Sequence, residues 1–504
     1  MTLGFSPFGL WPLSLLALAF LVWSFNQSNS SPHPKTRSFI RGGLFGLGFF
    51  GSGVSWIYVS LHTYGGANFI LAGFITLLFI IYLSLYPALV GFSYQFLFKQ
   101  PFLLKTLLVF PALWILSEFL RGYLFTGFPW LDIGYSGIHS PYVCMAPIWG
   151  VYGVGIVMLF CASLLAIAAE LKSWLKLIPL VSLILLSIAS YEGNFHVWTQ
   201  KNQALNITLI QGNIAPTVKW DENQASHSLE TYLRLTTPYL NNSDLIIWPE
   251  DSFPYYQDQA SDVLDSLSQT ALASHTAILL GLPIEYSQDH DYNGALLLGT
   301  GQGIYLKRHL VPFGEYTPSY LAKLNTWFGF PMSDFTPGPA DQPLMQLDLD
   351  TKDNQKDNQK DNQKKIQKNI IKIGLMICYE SIFPFEFHTH MQDANLLVSI
   401  SDDSWFGKSL GPWQHEEIAE MRAKESGLYL LSATDSGITA VITPQGTIQE
   451  KIQPNTSGAL HAQVFAMSGQ TPWMQVGIFP VITLILLGLV MAYCNRPMTT
   501  APER

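Results

Sequence analysis

The hydrophobic pattern divides the chain before any motif is considered. From the N-terminus to about residue 191, long apolar runs follow one another with few charges between them. A helix needs roughly 20 apolar residues to cross a bilayer, and about seven stretches meet that reading. They lie near 8–25, 42–61, 69–97, 103–121, 146–170, 174–191 and 473–494. The stretch 69–97 is long enough to tilt. Between about 193 and 472 the pattern changes, and short β-branched and aliphatic runs alternate with segments of helical period. Strands are predicted at 205–212, 244–250, 277–283, 294–299, 370–380, 395–401 and 438–443, and helices around 222–240, 260–274 and 412–427. Apolar strands separated by helix-length segments predict a buried sheet covered by helices, an α/β layered domain.

The expected domains follow. Residues 1–192 form an N-terminal membrane domain of about six transmembrane helices. Residues 193–472 form an α/β domain, 473–494 a last membrane helix, and 495–504 a tail. The run KDNQKDNQKDNQKK (352–365) is a tandem repeat without apolar residues, lying between two strand-like runs. Such a segment lacks the burial needed to offset its ordering entropy, so it reads as a disordered hairpin insertion with no catalytic role.

Composition sharpens this division. Only 12% of the 504 residues are charged, against roughly 25% in a soluble protein. The net charge of −9 and the lack of a basic stripe argue against nucleic acid. Lys and Arg set orientation. They gather at Lys35, Arg37 and Arg41, at Lys99 and Lys105, at Lys172 and Lys176, and at Arg496 and Arg504, whereas 62–68 and 122–145 lack them apart from Arg121 just before. Threading seven segments puts every basic connection on the cytoplasmic side and the α/β domain outside. It also puts the N-terminus outside. Arg121 falls at the outer end of its helix, which suggests snorkelling to the interface or service to a lipid phosphate. The first segment lacks the charged start of a signal peptide. The glycine run 42–53 lacks the Lys-Ser/Thr ending of a phosphate loop and predicts close helix packing instead.

Of four cysteines, only Cys378 lies in the α/β domain, which excludes a disulfide scaffold there. Cys378 ends a predicted strand, where catalytic groups of open α/β sheets gather. Glu250 ends another strand, cut short by Pro249, and Lys307 follows an apolar run. Each is weak evidence alone. Together they supply the nucleophile, the base and the oxyanion partner of cysteine acyl transfer. A zinc site lacks His-Glu-x-x-His or a Cys pair, and serine hydrolysis lacks its Gly-x-Ser-x-Gly elbow.

The runs QGN (211–213), KWDE (219–222), IIWPE (246–250), KRHLVPFGEY (307–316), ICYE (377–380), DDSWFGKSLGPWQH (402–415) and SGITAVI (436–442) resemble the apolipoprotein N-acyltransferase family of the nitrilase superfamily. FGSGVSWIYVS (50–60), LSLYPALVG (83–91) and SEFLRGYLFTGFPWLDIGYS (117–136) extend the resemblance into the membrane part. It implies a multi-pass α-helical membrane domain carrying an α-β-β-α nitrilase-like sandwich. It implies Glu250 as base, Lys307 as oxyanion stabiliser and Cys378 as nucleophile. Glu315 matches a second essential glutamate, and Trp220, Tyr379 and Glu380 match other required positions. Trp405 matches a mobile tryptophan near the substrate entrance. The implied reaction needs no cofactor and no metal. It moves an acyl chain from a phospholipid through a thioester to the α-amine of a diacylated apolipoprotein, at the bacterial inner membrane, with the catalytic domain on the periplasmic side. A membrane-anchored amidase or nitrilase acting on a small molecule is the alternative, and a transporter or sensor with an inactive domain is a second. The chain departs from the family at Asp402, where Asn is usual, at Ser432, where Arg is frequent, and in the repeat. It begins where the family's first membrane helix usually ends, so one helix fewer is expected. The apolar run 320–335, with Trp327, Phe328, Phe330 and Met332, is expected to form a lid at the membrane interface.

Overall fold

The structure, a computed structural model, describes residues 1–96, 101–219, 225–287, 290–318, 334–349 and 369–494. They fall into two compact units. One is Met1–Val197 with Lys408–Met421 and Thr471–Arg504; the other is Trp198–Gly407 with Arg422–Gln470.

The first unit is helical. Four of its helices are long and apolar enough to cross a membrane: Phe69–Phe96, Phe102–Arg121, Pro141–Glu170 and Trp174–Gly193. Pro34–Gly53 and Trp56–Tyr64 meet at a 50° bend and make a fifth if counted as one span. Two more predicted segments are helices of shorter length, Trp11–Gln27 and Phe479–Cys494. The glycine run does what its composition predicts. A Cβ on Gly42 would sit 2.1 Å from the Pro87 carbonyl oxygen, and one on Gly46 would sit 2.8 Å from the Ser84 Cα. Only glycine lets the helix Pro34–Gly53 lie that close to Phe69–Phe96.

Arg121 corrects the expectation of an interfacial side chain. It is 2% exposed and pairs with Asp132 at 2.6 Å. It also donates to the Phe128 carbonyl at 2.9 Å and to that of Trp130. Glu118, one turn earlier, accepts from the Ile133 main-chain N–H at 2.8 Å and from Trp114 Nε1 at 2.9 Å. The motif SEFLRG thus clamps the segment 128–133 by its backbone. A buried charge needs a partner and further hydrogen bonds; Asp132 is the partner of Arg121, and the Phe128 and Trp130 carbonyls supply the bonds. In the same unit, Gln414 accepts from Trp130 Nε1 at 2.6 Å and Trp56 Nε1 at 3.2 Å, and donates to the Gly53 carbonyl at 3.0 Å.

Among the described residues, the second unit carries twelve strands. They are β1 (Gln200–Gln211), β2 (Leu245–Ile247), β3 (Ala277–Ser287), β4 (His290–Gly299), β5 (Gly301–Leu306), β6 (Met345–Leu349), β7 (Asn369–Ile377), β8 (Leu396–Ser401), β9 (Leu430–Thr434), β10 (Thr439–Ile442), β11 (Ile448–Ile452) and β12 (Gly458–Ser468). Their order is β11-β10-β9-β8-β7-β6-β5-β4-β3-β2-β1-β12. The two halves share one pattern. Strands β1, β2 and β3 are parallel and so are β7, β8 and β9; the flanking pairs are antiparallel. In the strand ladder the halves meet at β5 and β6, through Gly301↔Leu347 and Gln302↔Gln346. The parallel strands are buried on both faces, which explains their continuous apolar runs. The helices Ala225–Thr236 and Ser261–Ala273 seal one half with Tyr232, Leu264, Leu267 and Ala271, packed on Ile210, Ile246, Ile278 and Leu280. This is the layered sheet-and-helix architecture expected from the sequence.

Candidate active site

The parallel strands end together, and chemistry collects at their carboxyl ends. Strand β2 stops at Ile247, and Trp248, Pro249 and Glu250 follow. Glu250 is 4% exposed. Its backbone presses against Gly281 of β3, where a Cβ would stand 2.7 Å from the Glu250 Cα. Strand β5 delivers Lys307, 1% exposed, whose main-chain N–H donates to the Asn293 carbonyl at 2.8 Å. Strand β7 delivers Cys378 as the first residue of a 3-10 turn, Cys378–Ile382. Its φ is +52°, a left-handed conformation that a non-glycine residue adopts at a cost. The chain thus turns sharply at Cys378 as the strand ends.

Glu250, Lys307 and Glu315 meet directly. Lys307 Nζ donates to Glu250 Oε1 and to Glu315 Oε1, each at 2.9 Å. Asn293 Nδ2 donates to the same two oxygens, each at 2.7 Å. Two carboxylate oxygens and two nitrogen donors therefore alternate around a closed square. The other oxygens are also held. Glu250 Oε2 accepts from the Asp402 main-chain N–H at 2.9 Å, and Glu315 Oε2 from that of Val311 at 2.7 Å. Cys378 lies within the field of this cluster. Burial, then the Glu250 charge, push its thiol well above the ordinary range, while Lys307 opposes them. Burial alone would depress the Lys307 ammonium, but Glu250 and Glu315 outweigh it and hold the group well above its ordinary value.

Glu380 does not face this square. It fastens the elbow from beneath. Its carboxylate accepts from the Ile377 N–H at 2.7 Å, the Arg308 N–H at 2.7 Å and the Tyr305 hydroxyl at 2.9 and 3.0 Å. It thereby ties the residue before Cys378 to the residue after Lys307. Tyr379 sets its ring edge-on to Phe383 at 5.1 Å and to His309 at 5.6 Å. Trp405 is 40% exposed in the turn Asp403–Phe406. Trp220, residues 320–333 of the run 320–335 expected as a lid, and the repeat 352–365 lie outside the described residues.

Sequence reading missed three participants. Asn293 is a lone amide in the apolar run of β4, 2% exposed, and a buried polar residue inside a strand was the available signal. Lys219, 1% exposed, stood in the KWDE motif without a role of its own. Asp402 contributes a backbone N–H, which no side-chain pattern reveals.

Comparison with known proteins gives likenesses for both parts of the chain. Residues 1–164 match the apolipoprotein N-acyltransferase N-terminal domain, and residues 206–472 match the carbon-nitrogen hydrolase domain. An apolipoprotein N-acyltransferase of Coxiella burnetii is 37% identical, covering 97% of each chain. Another, from Azotobacter vinelandii, is 36% identical over 98% of this chain and 93% of that one. Among solved structures, an amidase mutant from Nesterenkonia sp. AN1 shares 17% identity at a TM-score of 0.37, covering 55% of this chain and 95% of that one.

Proposed function

Because this chain belongs to the apolipoprotein N-acyltransferase family, we propose that Cys378 carries a fatty acyl group from a membrane phospholipid to the N-terminal amine of a lipoprotein. The chain is an acyltransferase of lipoprotein maturation, and the proposal concerns its donor, its residues and its steps. The observation that carries it is the buried Lys307–Glu250–Glu315 cluster beside a cysteine held at positive φ.

Glu250 accepts the thiol proton as sulfur attacks the ester carbonyl. The carbon–oxygen double bond opens, and Lys307 balances the oxyanion. The intermediate collapses, the carbon–oxygen single bond breaks, and Glu250 returns the proton to the departing lysophospholipid alkoxide. A thioester remains on Cys378. The α-amine of the lipoprotein's diacylglyceryl-cysteine then attacks it and gives a proton to Glu250. The amide forms, and the proton returns to the leaving thiolate. Glu315 keeps Lys307 fixed between two carboxylates, and Tyr379 and Trp405 border the approach of the lipids. The phospholipid ester is itself the activated acyl group, so the steps call for no further cofactor.

The location belongs to the same proposal. Residues 1–192 and 473–494 anchor the chain in the bacterial cytoplasmic membrane. The distribution of Lys and Arg supports cytoplasmic basic connections, with residues 193–472 on the periplasmic side and 495–504 in the cytoplasm. Both substrates are lipids of that bilayer, which gives the helices a purpose that a soluble amide substrate would not. The amidase alternative is accordingly not favoured.

The test is mass spectrometry of a diacylated lipopeptide incubated with phospholipid vesicles and purified protein. A gain of one acyl chain is expected, together with a hydroxylamine-labile acyl group on Cys378 when the acceptor is omitted. Cys378→Ala should abolish both while still inserting in membranes; acylation of the lipopeptide by that variant would sink the cysteine mechanism.

A further inference from the structure

Behind Glu250 lies a second buried network that the steps above leave without a role. Lys219 Nζ donates to Asp402 Oδ2 at 2.7 Å and stands 3.4 Å from Asp435 Oδ2. Both Asp402 and Asp435 are buried. Asp402 Oδ1 accepts from the Ser404 N–H at 3.1 Å and caps the turn Asp403–Phe406. Asp435 accepts from the Tyr232 hydroxyl at 2.5 Å and the Ile214 N–H at 3.1 Å, and its own carbonyl accepts from the Asn213 N–H at 2.8 Å. Asp251, next to Glu250, also acts on the Lys219 charge. Its Oδ1 is buried without a hydrogen-bond partner. One ammonium therefore serves three carboxylates contributed by the ends of β2, β8 and β9.

This arrangement bears on the base through one bond. The Asp402 main-chain N–H donates to Glu250 Oε2, while Asn293 and Lys307 occupy Glu250 Oε1. Whatever fixes the Asp402 side chain fixes that N–H and so the plane of the Glu250 carboxylate. Resting on the role assigned above to Glu250, we propose that Lys219 and Asp402 form a positioning pair that orients Glu250 and sets the charge around it. At this position the resemblance led us to expect Asn; the carboxylate gives this chain a charged clamp on Lys219. Burial opposes the Lys219 charge, but Asp402 and Asp435 together outweigh it and raise the ammonium above its ordinary value. The groups facing Lys219 are Asp402 and Asp435, with Asp251 and Glu250 beyond them and Tyr232 across Asp435.

Removing the cation and removing the anion should act in opposite directions on the base. In Lys219→Met the buried carboxylates lose their counter-charge and the clamp on Asp402 is released. The acid limb of the pH profile for Cys378 acylation should then move up by about one unit. The rate at neutral pH should fall at least tenfold. In Asp402→Asn a negative charge leaves while Lys219 stays, so the acid limb should move down. The double variant Lys219→Met/Asp402→Asn should recover part of the rate and bring the limb back toward that of the unmodified chain. The measurement is single-turnover acylation of Cys378 by phospholipid vesicles across pH, on full-length protein in membranes, with alkylation of Cys378 by a small reagent as the check on folding. If Lys219→Met fails to fold, the downward shift in Asp402→Asn decides the matter. Unmoved limbs in the folded variants, or a double variant no better than Lys219→Met, would overturn the pair. Failure of the unmodified chain to form the thioester would instead overturn the function proposed above.

Discussion

Burial and the Glu250 charge push the Cys378 thiol well above its ordinary range, so the proposed nucleophile calls for its base during attack rather than before it. The sign of each influence gives a test. Alkylation of Cys378 by iodoacetamide should keep rising above pH 9, because the thiolate forms only there. Glu250→Gln removes one cause of the elevation and should shift that alkylation profile to lower pH. The same variant should lose acyl transfer by at least a hundredfold, about 2.7 kcal/mol. A thiol made easier to ionise and yet unable to transfer acyl groups would separate base catalysis from thiolate supply. An unmoved alkylation profile would mean that Glu250 does not act on the sulfur. Glu380 makes a different case. Its carboxylate receives four main-chain or hydroxyl donors, from Tyr305, Arg308, His309 and Ile377, and Glu380→Gln turns an NH2 toward at least one of them. Leaving a buried donor unmet costs about 1–3 kcal/mol. Thermal unfolding should therefore drop by several degrees, with acylation falling in step because the turns at Ile377 and Arg308 loosen together. Lost activity without lost stability would place Glu380 in contact with substrate instead.

At the scale of elements, the site depends on how closely strand ends approach one another. Gly281 in β3 is the tightest such point at the base, since any Cβ would strike the Glu250 Cα and the Pro249 carbonyl. Gly281→Ala should displace Glu250 by a few tenths of an ångström or more, and a misplaced base loses alignment quickly. At least a tenfold loss in Cys378 acylation is expected, with alkylation by a small reagent retained; equal rates would show that the loop after β2 absorbs the methyl group. Legibility in the sequence also varied by element. Strands β2 and β8 were plain because burial on both faces makes them largely apolar, and β1 and β7 because their carboxyl-terminal halves are buried in the same way. Strand β11, Ile-Gln-Glu-Lys-Ile, is mostly exposed, and β12 alternates small and polar residues, so neither carries that signal. They are held by pairing with β10 and β1, which only the folded chain reveals. The same reasoning applies to the site. Strand-terminal Glu250, Lys307 and Cys378 could be singled out, whereas Asn293 and Lys219 owe their importance to neighbours more than forty residues away.

Over the whole molecule, the division into a charge-poor helical part and a sheet domain was the clearest message of the sequence. The break between Pro34–Gly53 and Trp56–Tyr64 was not, because both pieces are apolar and only their 50° bend separates them. The repeat 352–365 tests how far the sheet domain tolerates its own insertion. Strands β6 and β7 pair antiparallel, with Leu349 opposite Asn369. The two ends of the intervening segment therefore begin and finish as hairpin neighbours. A short turn can join such ends, and shortening a loop between fixed ends lowers its closure entropy only slowly with length. Cys378 follows β7 at its far end, nine residues beyond Asn369, so the catalytic elbow does not depend on that turn. Replacing residues 351–367 by Asn-Gly should therefore leave the register of β6 and β7 intact. Turnover of lipopeptide should stay within tenfold of the full chain, less than about 1.4 kcal/mol, and thermal stability should hold or rise slightly. A larger fall in lipopeptide turnover with unchanged single-turnover acylation of Cys378 would locate the repeat on the path of the acceptor. A fall in both would show that the hairpin supports the strand on which the nucleophile is carried.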